Sequence, residues 1–457
     1  MRSTALLSVC CLLGAGCASL PDSAAILERH TAQAARFETA RGPLSRQKSA
    51  ALLAALKRKS GDLDILEKQM VLEQTINGSP LLLGNRLTLL QDGPSTYAAM
   101  FAAIRQARDH INLESYIFED DEIGREFADL LLESQARGVQ VNLIYDSVGA
   151  INTPRAFFQR LQAGGINVLE FNPLNPLSAR RAWRINNRDH RKLLIVDGRS
   201  AFLGGINISS VHSSGSIGRA LRKRERNPAD WRDTDVQVDG PVVAEFQKLF
   251  LDSWARQQGQ PMASRAYFPV LPAHGQDMVR AIGSRPEDPF SLIYLTLISA
   301  LGNAEQRIQL TQAYFVPDPS LLKALMDASA RGVEVSLILP QHSDSAIVFH
   351  AGRAHYGALL KAGVRLFERR GAPLHAKTAS IDGVWSCIGS SNLDWRSFLD
   401  NDEVNAVVLG RDFGTQMESM FARDLANSEA ITQEAWEARS HLLRFKEWGA
   451  GLLQRLL

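Results

Sequence analysis

The chain has 457 residues, 45% of them hydrophobic and 22% charged, which is ordinary for a soluble globular protein and allows two domains of about 180 residues each. Its 51 Lys and Arg against 49 Asp and Glu leave a net charge of +2, so a general polyelectrolyte binder is excluded and any basic surface must be local. Beyond the extreme N-terminus no segment approaches about eighteen uninterrupted apolar residues, so no transmembrane helix is expected there.

In chain order, residues 1–17 come first and read as a secretory signal. Met1-Arg2 gives a positive start, Ala5 to Gly16 is apolar but too short to span a bilayer, and "LLGAGC" ends at Cys17. The stretch resembles a bacterial lipoprotein signal, with Gly14 in place of the usual Leu. That resemblance implies acylation of Cys17 and an exported chain anchored on the periplasmic side of a membrane. Ala18 permits the outer membrane. Cys10 and Cys11 leave with the signal, so Cys387 has no partner for an intramolecular disulfide, and its strand-like setting "VWSCIG" reads as core. Residues 18–83 are rich in Ala, Leu and charge at helical spacing and read as a helical arm.

Two halves then run in parallel, 84–260 and 261–457. "STYAAMFAAIRQARDHINLESYIFEDD" and "DPFSLIYLTLISALGNAEQRIQLTQAYFVPD" each give a helix and then a strand. "FADLLLESQARGVQVNLIYD" and "LKALMDASARGVEVSLILPQ" share an Ala-Arg-Gly-Val turn between helix and strand, and "FFQRLQAGGINVLEF" matches "YGALLKAGVRLFE". The expected class is α/β, two homologous sandwich domains of mixed sheet flanked by helices. "SSVHSSGSIGRALRKRERNPAD" has no counterpart of equal length in the second half; it is a solvated loop or a basic lip that attracts phosphate.

Each half carries the same polar pattern: His190, Lys192, Asp197 and Asn207 in "HRKLLIVDGRSAFLGGIN", and His375, Lys377, Asp382 and Asn392 in "HAKTASIDGVWSCIGSSN". His and Lys two apart share one face of a strand, and a core strand has no use for an imidazole beside an ammonium. One such pattern is expected by chance in roughly one chain in ten thousand, so two in matching places carry chemistry. The aspartates are the members most open to a structural reading, because Asp-Gly also signals a turn. Aligning the closing strands on Gly240 and Gly410 sets Asp233 opposite Glu403, and a carboxylate on one ring nitrogen would fix a histidine tautomer. No third ligand recurs beside the histidines and paired lysines repel a cation, so no metal and no cofactor are expected.

On these residues the chain resembles the phospholipase D superfamily, whose mark is the duplicated HKD motif. Among its members it is most similar to bacterial cardiolipin synthases, through "YIFEDDEIG", "NNRDHRKLLIVDG", "WRDTDVQVDGP", "LHAKTASIDG", "GSSNLDWRSF" and "NDEVN". The resemblance implies a bilobal fold in which both motifs form one site across a pseudo-twofold axis. It implies catalysis by His190, Lys192, Asp197, His375, Lys377 and Asp382, with His190 as nucleophile and His375 as general acid and base. Asn207 and Asn392 would hold phosphate, and Asp233 and Glu403 would orient the rings. The implied activity is phosphatidyl transfer that forms cardiolipin from phosphatidylglycerol, with phosphatidylethanolamine as another possible donor. A phospholipase D-type hydrolase is the first rival. A nuclease is the second, and it would need a continuous basic groove that this near-neutral chain lacks, so no nucleic acid partner is expected. Asp189 stands where Asn is usual before the first motif. The closing "SEAITQEAWEARSHLLRFKEWGAGLLQRLL" resembles the family's C-terminal helix, and its Trp448, Leu452, Leu453, Leu456 and Leu457 suit either a bilayer surface or domain packing.

Overall fold

A computed structural model describes residues 36–457 apart from 62, 71–78, 176–183, 185 and 213–230. The signal, Cys17 and the basic run of Arg219 to Arg226 lie outside the described residues.

The first lobe begins with β1 (Leu82–Leu90) and α2 (Gly93–Gln106), after α1 (Arg46–Lys59) of the N-terminal arm. It continues through β2 (His110–Ser115), α3 (Glu122–Ala136), β3 (Gln140–Asp146), α4 (Arg155–Ala163), β4 (Asn167–Phe171), β5 (Lys192–Val196), β6 (Ser200–Gly204), β7 (Asp235–Asp239) and α5 (Val243–Arg256). The sheet order is β1-β7-β6-β5-β2-β3-β4, with β2, β3 and β4 parallel and the other pairs antiparallel. Parallel strands run in near-continuous apolar form because helices cover the sheet, as "QVNLIYD" of β3 illustrates.

The second lobe repeats that plan with β8 (Asp277–Ser284), α6 (Leu292–Asn303), β9 (Arg307–Gln312), α7 (Pro319–Ala330), β10 (Glu334–Pro340), α8 (Ala346–Arg353), β11 (Arg365–Arg369), β12 (Lys377–Ile381), β13 (Trp385–Gly389), α9 (Trp395–Leu399), β14 (Asn401–Leu409) and α10 (Arg411–Ala426). Its order, β8-β14-β13-β12-β9-β10-β11, is that of the first lobe strand for strand. An added antiparallel strand, β15 (Ser428–Ile431), lines the outer edge and leads to α11 (His441–Gly451). The expected duplication is therefore present as two α/β units of mixed sheet and helix.

The lobes join along β1 and β8, which pair antiparallel through Asp277 with Asn85 and Val279 with Leu82. A shared apolar layer lies between them. It brings Val236, Val238, Phe246 and Phe250 of the first lobe onto Ile388, Val404, Ala406, Phe413 and Met417 of the second. The described part of the arm is docked: Phe37, Leu63, Ile65, Leu66 and Met70 belong to the second lobe's core, and Gln69 accepts from the Ser299 hydroxyl at 2.6 Å.

Asp197 and Asp382 do not stand at a catalytic centre. Each sits past the far end of its strand, about 20 Å along the extended chain from the motif's histidine. Each has left-handed backbone, φ 54° and 53°, which Asp tolerates better than most side chains. Asp197 accepts from the main-chain N–H groups of Arg108, Asp109 and His110, and Asp382 from those of Glu305, Gln306 and Arg307. These six groups begin β2 and β9, where the ladder has not yet supplied partners. The catalytic role expected of the two aspartates is thus corrected to a structural one. Asp382→Ala, which strips three charge-assisted hydrogen bonds from a fully buried turn, is expected to lower stability by about 2–4 kcal/mol in denaturant unfolding. An unchanged midpoint would contradict this role.

Candidate active site

The parallel strands of each lobe end at the same place. Ser115, at the C-terminal end of β2, pairs with Lys192, and Gln312, at the end of β9, pairs with Lys377. His190 and His375 precede these lysines, so both motifs open at the carboxyl ends of the parallel strands, where α/β sheets characteristically bind ligands.

The lobes exchange partners at that point. The His190 main-chain N–H donates to the Asp402 carbonyl at 3.0 Å, and the His375 N–H donates to the Arg232 carbonyl at 2.8 Å. Between side chains, His190 Nδ1 lies 2.9 Å from Glu403 Oε1 and His375 Nδ1 lies 2.7 Å from Asp233 Oδ2. Each imidazole is therefore held by a carboxylate from the opposite lobe. Burial alone would raise Glu403, but His190, Lys192 and the Ser390 hydroxyl overcome it and hold the carboxyl at about 2. An ionised carboxylate can only accept, so Nδ1 of His190 carries the hydrogen and Nε2 is left with a lone pair.

The two carboxylates are seated differently. Ser390 donates its hydroxyl to Glu403, and Asn401 Nδ2 donates to the same group at 3.2 Å. In the first lobe the position of Ser390 is Gly205, and a Cβ there would come within 2.1 Å of Asp233 Oδ1. The Gly-Gly and Gly-Ser variants of the motif thus follow from the acid each must clear. One register further in, Asp235 faces Gly204 and Asn405 faces Gly389. Burial and the neighbouring Asp233 push the Asp235 carboxyl well above the usual carboxylate range, so it acts as the neutral counterpart of the Asn405 amide.

Lys192 Nζ donates to the His190 carbonyl at 2.6 Å, and Lys377 makes the same bond to the His375 carbonyl. Burial is the main cause that lowers both, to about 7 for Lys192 and about 8 for Lys377, and Lys377 adds repulsion to Lys192. Burial likewise brings His190 down to about 4 and lowers His375. Lys377 acts on His190 and Lys192 acts on His375, so all four groups share one centre. The rings remain reachable at 9% and 8% exposure. Tyr116 packs its ring 5.1 Å from His190 and Trp231 lies 5.3 Å from His375, so the two halves present unlike walls.

Asn207 and Asn392 follow at the ends of β6 and β13 and are buried. The Asn207 side-chain oxygen accepts from the Ile117 N–H at 3.3 Å, and its carbonyl accepts from the Tyr97 hydroxyl at 2.6 Å. Asn392 Oδ1 is buried without a hydrogen-bond partner among the described residues. Beneath His190 lies a charged layer that sequence reading missed. Asp189, Glu114 and Asp402 are fully buried around Arg191, and Arg256 reaches Asp402 from the side. Burial and the charges of Glu114 and Asp402 push Asp189 well above its usual value. Asp189 is also the position where the family resemblance leads one to expect Asn. The only sequence signal was that one departure.

Among the described residues no cluster of His, Cys, Asp and Glu is arranged to hold a metal ion. What the site does hold is two imidazoles, each tied through Nδ1 to a carboxylate, and two buried lysines. That set suits displacement at an anionic phosphorus.

Comparison with known proteins agrees. The family described as cardiolipin synthase, PLD-like domain, matches residues 100–214 and 297–425, once in each lobe. A cardiolipin synthase of Geobacillus thermodenitrificans (strain NG80-2) is 32% identical over 385 residues, covering 84% of this chain and 74% of the relative. Cardiolipin synthase A of Pseudomonas putida (strain W619) is 36% identical over 366 residues, covering 78% and 71%. Among solved structures, the phosphatidylserine synthase of Haemophilus influenzae Rd KW20 covers 84% of this chain and 99% of its own, with a TM-score of 0.64 at 13% identity, a likeness of fold. With one match in each lobe and relatives of this identity across most of their length, the chain belongs to the cardiolipin synthase family of phospholipase D-like proteins.

Proposed function

We propose that the chain is a phosphatidyltransferase that forms cardiolipin from two molecules of phosphatidylglycerol without a metal ion. The observation that carries this reading is the pairing of each imidazole with the other lobe's carboxylate, beside two buried lysines. His190 Nε2 attacks phosphorus, the bond from phosphorus to the glycerol head-group oxygen breaks, and protonated His375 gives its proton to the departing alkoxide. The hydroxyl of a second phosphatidylglycerol then loses its proton to His375 and attacks the phosphohistidine, and the phosphorus–nitrogen bond breaks. Glycerol and cardiolipin leave, and both histidines return to their starting protonation.

Assigning the nucleophile to His190 rests on its ring, which burial keeps neutral down to about pH 4. The acid must instead be charged. An anionic phosphodiester between Lys192 and Lys377 adds the negative charge that favours an imidazolium at His375 and protonated lysines. In this reading Asn207 and Asn392, buried just after β6 and β13, complete the phosphate cradle. Family likeness supports phospholipid substrates, and the motif "LLGAGC" supports a lipid anchor at Cys17 on the periplasmic side. Growth with an alkyne fatty acid should label the chain and not its Cys17→Ala variant; equal labelling would reject the anchor.

The purified chain with phosphatidylglycerol vesicles and a chelator is expected to yield cardiolipin and free glycerol. Phosphatidic acid as the sole product would make it a hydrolase, and cleavage of DNA without lipid turnover would make it a nuclease. His190→Ala and His375→Ala should each reduce turnover by at least about a thousandfold while keeping the folded spectrum.

The buried lysines predict an early alkaline limb. A lysine whose value is lowered on burial loses its charge as pH rises through the lowered value, so the free site is fully cationic only below about 7. Profiles of kcat/KM should therefore fall above pH 7–8, well below the ordinary lysine range, while kcat falls later because bound phosphate holds the protons. A kcat/KM plateau extending to pH 10 would contradict the buried-lysine cradle.

A further inference from the structure

Twelve large apolar side chains are exposed among the described residues, and ten of them stand either on segments that follow strands ending at the site or on the C-terminal helix and the residues after it. Four stand on segments that follow strands ending at the site: Ile151 after β3, Leu174 after β4, Val211 after Asn207, and Ile347 on α8 after β10. The other six belong to α11 and the last residues of the chain. Only Phe268 and Val270, in the connection between the lobes, lie elsewhere. Scattered exposed apolar residues are normal, but a concentration on one face marks a contact surface.

α11 is built to present such a face. Ser440 caps it by accepting from the Leu443 N–H. Its inner side carries Glu447, 2% exposed, which accepts from Arg353 at 3.3 Å and from Arg439 at 2.8 Å. The chain end is tied down as well, because the Arg396 N–H donates to the Leu457 carbonyl at 3.2 Å and His355 meets Gln454 at 3.0 Å. The helix is thereby pinned to α8 and to α9, the helix that follows Asn392. Domain packing thus accounts for its inner side and not for its outer one. There Leu442, Phe445, Trp448 and Leu452 are 64%, 66%, 60% and 66% exposed, and at 100° per residue they form a single stripe. Phe445 and Trp448 lie 5.8 Å apart, ring to ring. Exposed Arg444 falls on one flank of the stripe and exposed Lys446 on the other. An apolar stripe with aromatic members and cations along both margins matches a surface of hydrocarbon beneath anionic head groups, and it does not match the satisfied polar rim of a protein interface.

We propose that this end of the molecule, with α11 as its main element, docks on an anionic phospholipid bilayer and sets the mouth of the site against the lipid surface. Phe445, Trp448 and Leu452 enter the head-group boundary, Arg444 and Lys446 meet lipid phosphates, and Ile151 and Leu174 supply the first lobe's contact. The contact is separate from any anchor at Cys17, and it rests on the phosphatidyltransferase reading only for its purpose, since binding needs no turnover.

The test uses the full chain carrying Cys17→Ala, so that no acyl group contributes, and His375→Ala, so that lipid is not consumed. Sedimentation with phosphatidylcholine vesicles containing phosphatidylglycerol is expected to show binding that weakens at least about tenfold in the Phe445→Asp, Trp448→Asp variant. Raising salt should weaken binding of the parent as Arg444 and Lys446 are screened. Brominated acyl chains should quench part of the parent's tryptophan emission, and that part should vanish in Trp448→Phe, a conservative change that leaves the fold and binding intact. Equal vesicle binding by the parent and the aspartate variant would overturn the proposal. So would absence of the Trp448 quench, or a dimer in solution that the aspartate variant dissolves while vesicle binding stays the same. Cardiolipin synthesis is not among these readouts, so failure of the docking surface and failure of the proposed reaction are told apart.

Discussion

Everything in this molecule is arranged around two hydrogen bonds that cross between lobes, from His190 to Glu403 and from His375 to Asp233. Neither lobe can orient its own imidazole. A ring set by a carboxylate 213 residues away keeps its aim only while the two lobes stay fixed to within fractions of an ångström. That requirement explains the apolar layer shared by the lobes, the pairing of β1 with β8, and the reciprocal main-chain bonds from each histidine N–H to the residue just before its acid. A site divided in this way exists only in the assembled fold.

The same constraint decides the electrostatics. Burying two lysines, two histidines and two acids in one centre is costly unless each charge finds a partner. Glu403 stays ionised because His190, Lys192 and Ser390 surround it, whereas burial and neighbouring acids push Asp235 and Asp189 well above the usual carboxylate range. The lysines are left part-way, lowered by burial but close enough to neutral pH that an arriving phosphate can charge them. A cradle poised like this is strongest when occupied, which favours a doubly substituted, anionic phosphorus over neutral ligands.

Much of this was written in the sequence. Duplication made the strand order of both lobes legible, and the spacing of His190 and Lys192 against His375 and Lys377 named groups whose charges act on one another across the lobes. The alignment on Gly240 and Gly410 also found Asp233 and Glu403, though not the exchange between lobes, since a pattern along one strand holds no information about which distant strand faces it. Asp197 and Asp382 were misread for a related reason. Their spacing repeats as faithfully as that of the histidines, and repetition does not distinguish a side chain that meets substrate from one that begins two strands. The arm reads as helical by composition, but its docking on the second lobe depends on Phe37, Ile65 and Leu66 finding a complementary core. The burial of Glu114 beside Asp189 could not be read at all, because Glu114 lies on a strand whose pattern is that of any buried β-strand.

The most direct test of the crossed carboxylates is nitrogen-15 NMR of the histidine-labelled chain, with His190 and His375 assigned from variants. The structure predicts that both rings are protonated at Nδ1 and that His190 keeps a bare Nε2 down to about pH 4. It also predicts that Glu403→Gln, in the second lobe, shifts the signal of His190 and not that of His375. A His190 indifferent to Glu403 would contradict the crossed arrangement on which the site depends, and one that titrates near 6.5 would contradict the burial of its ring.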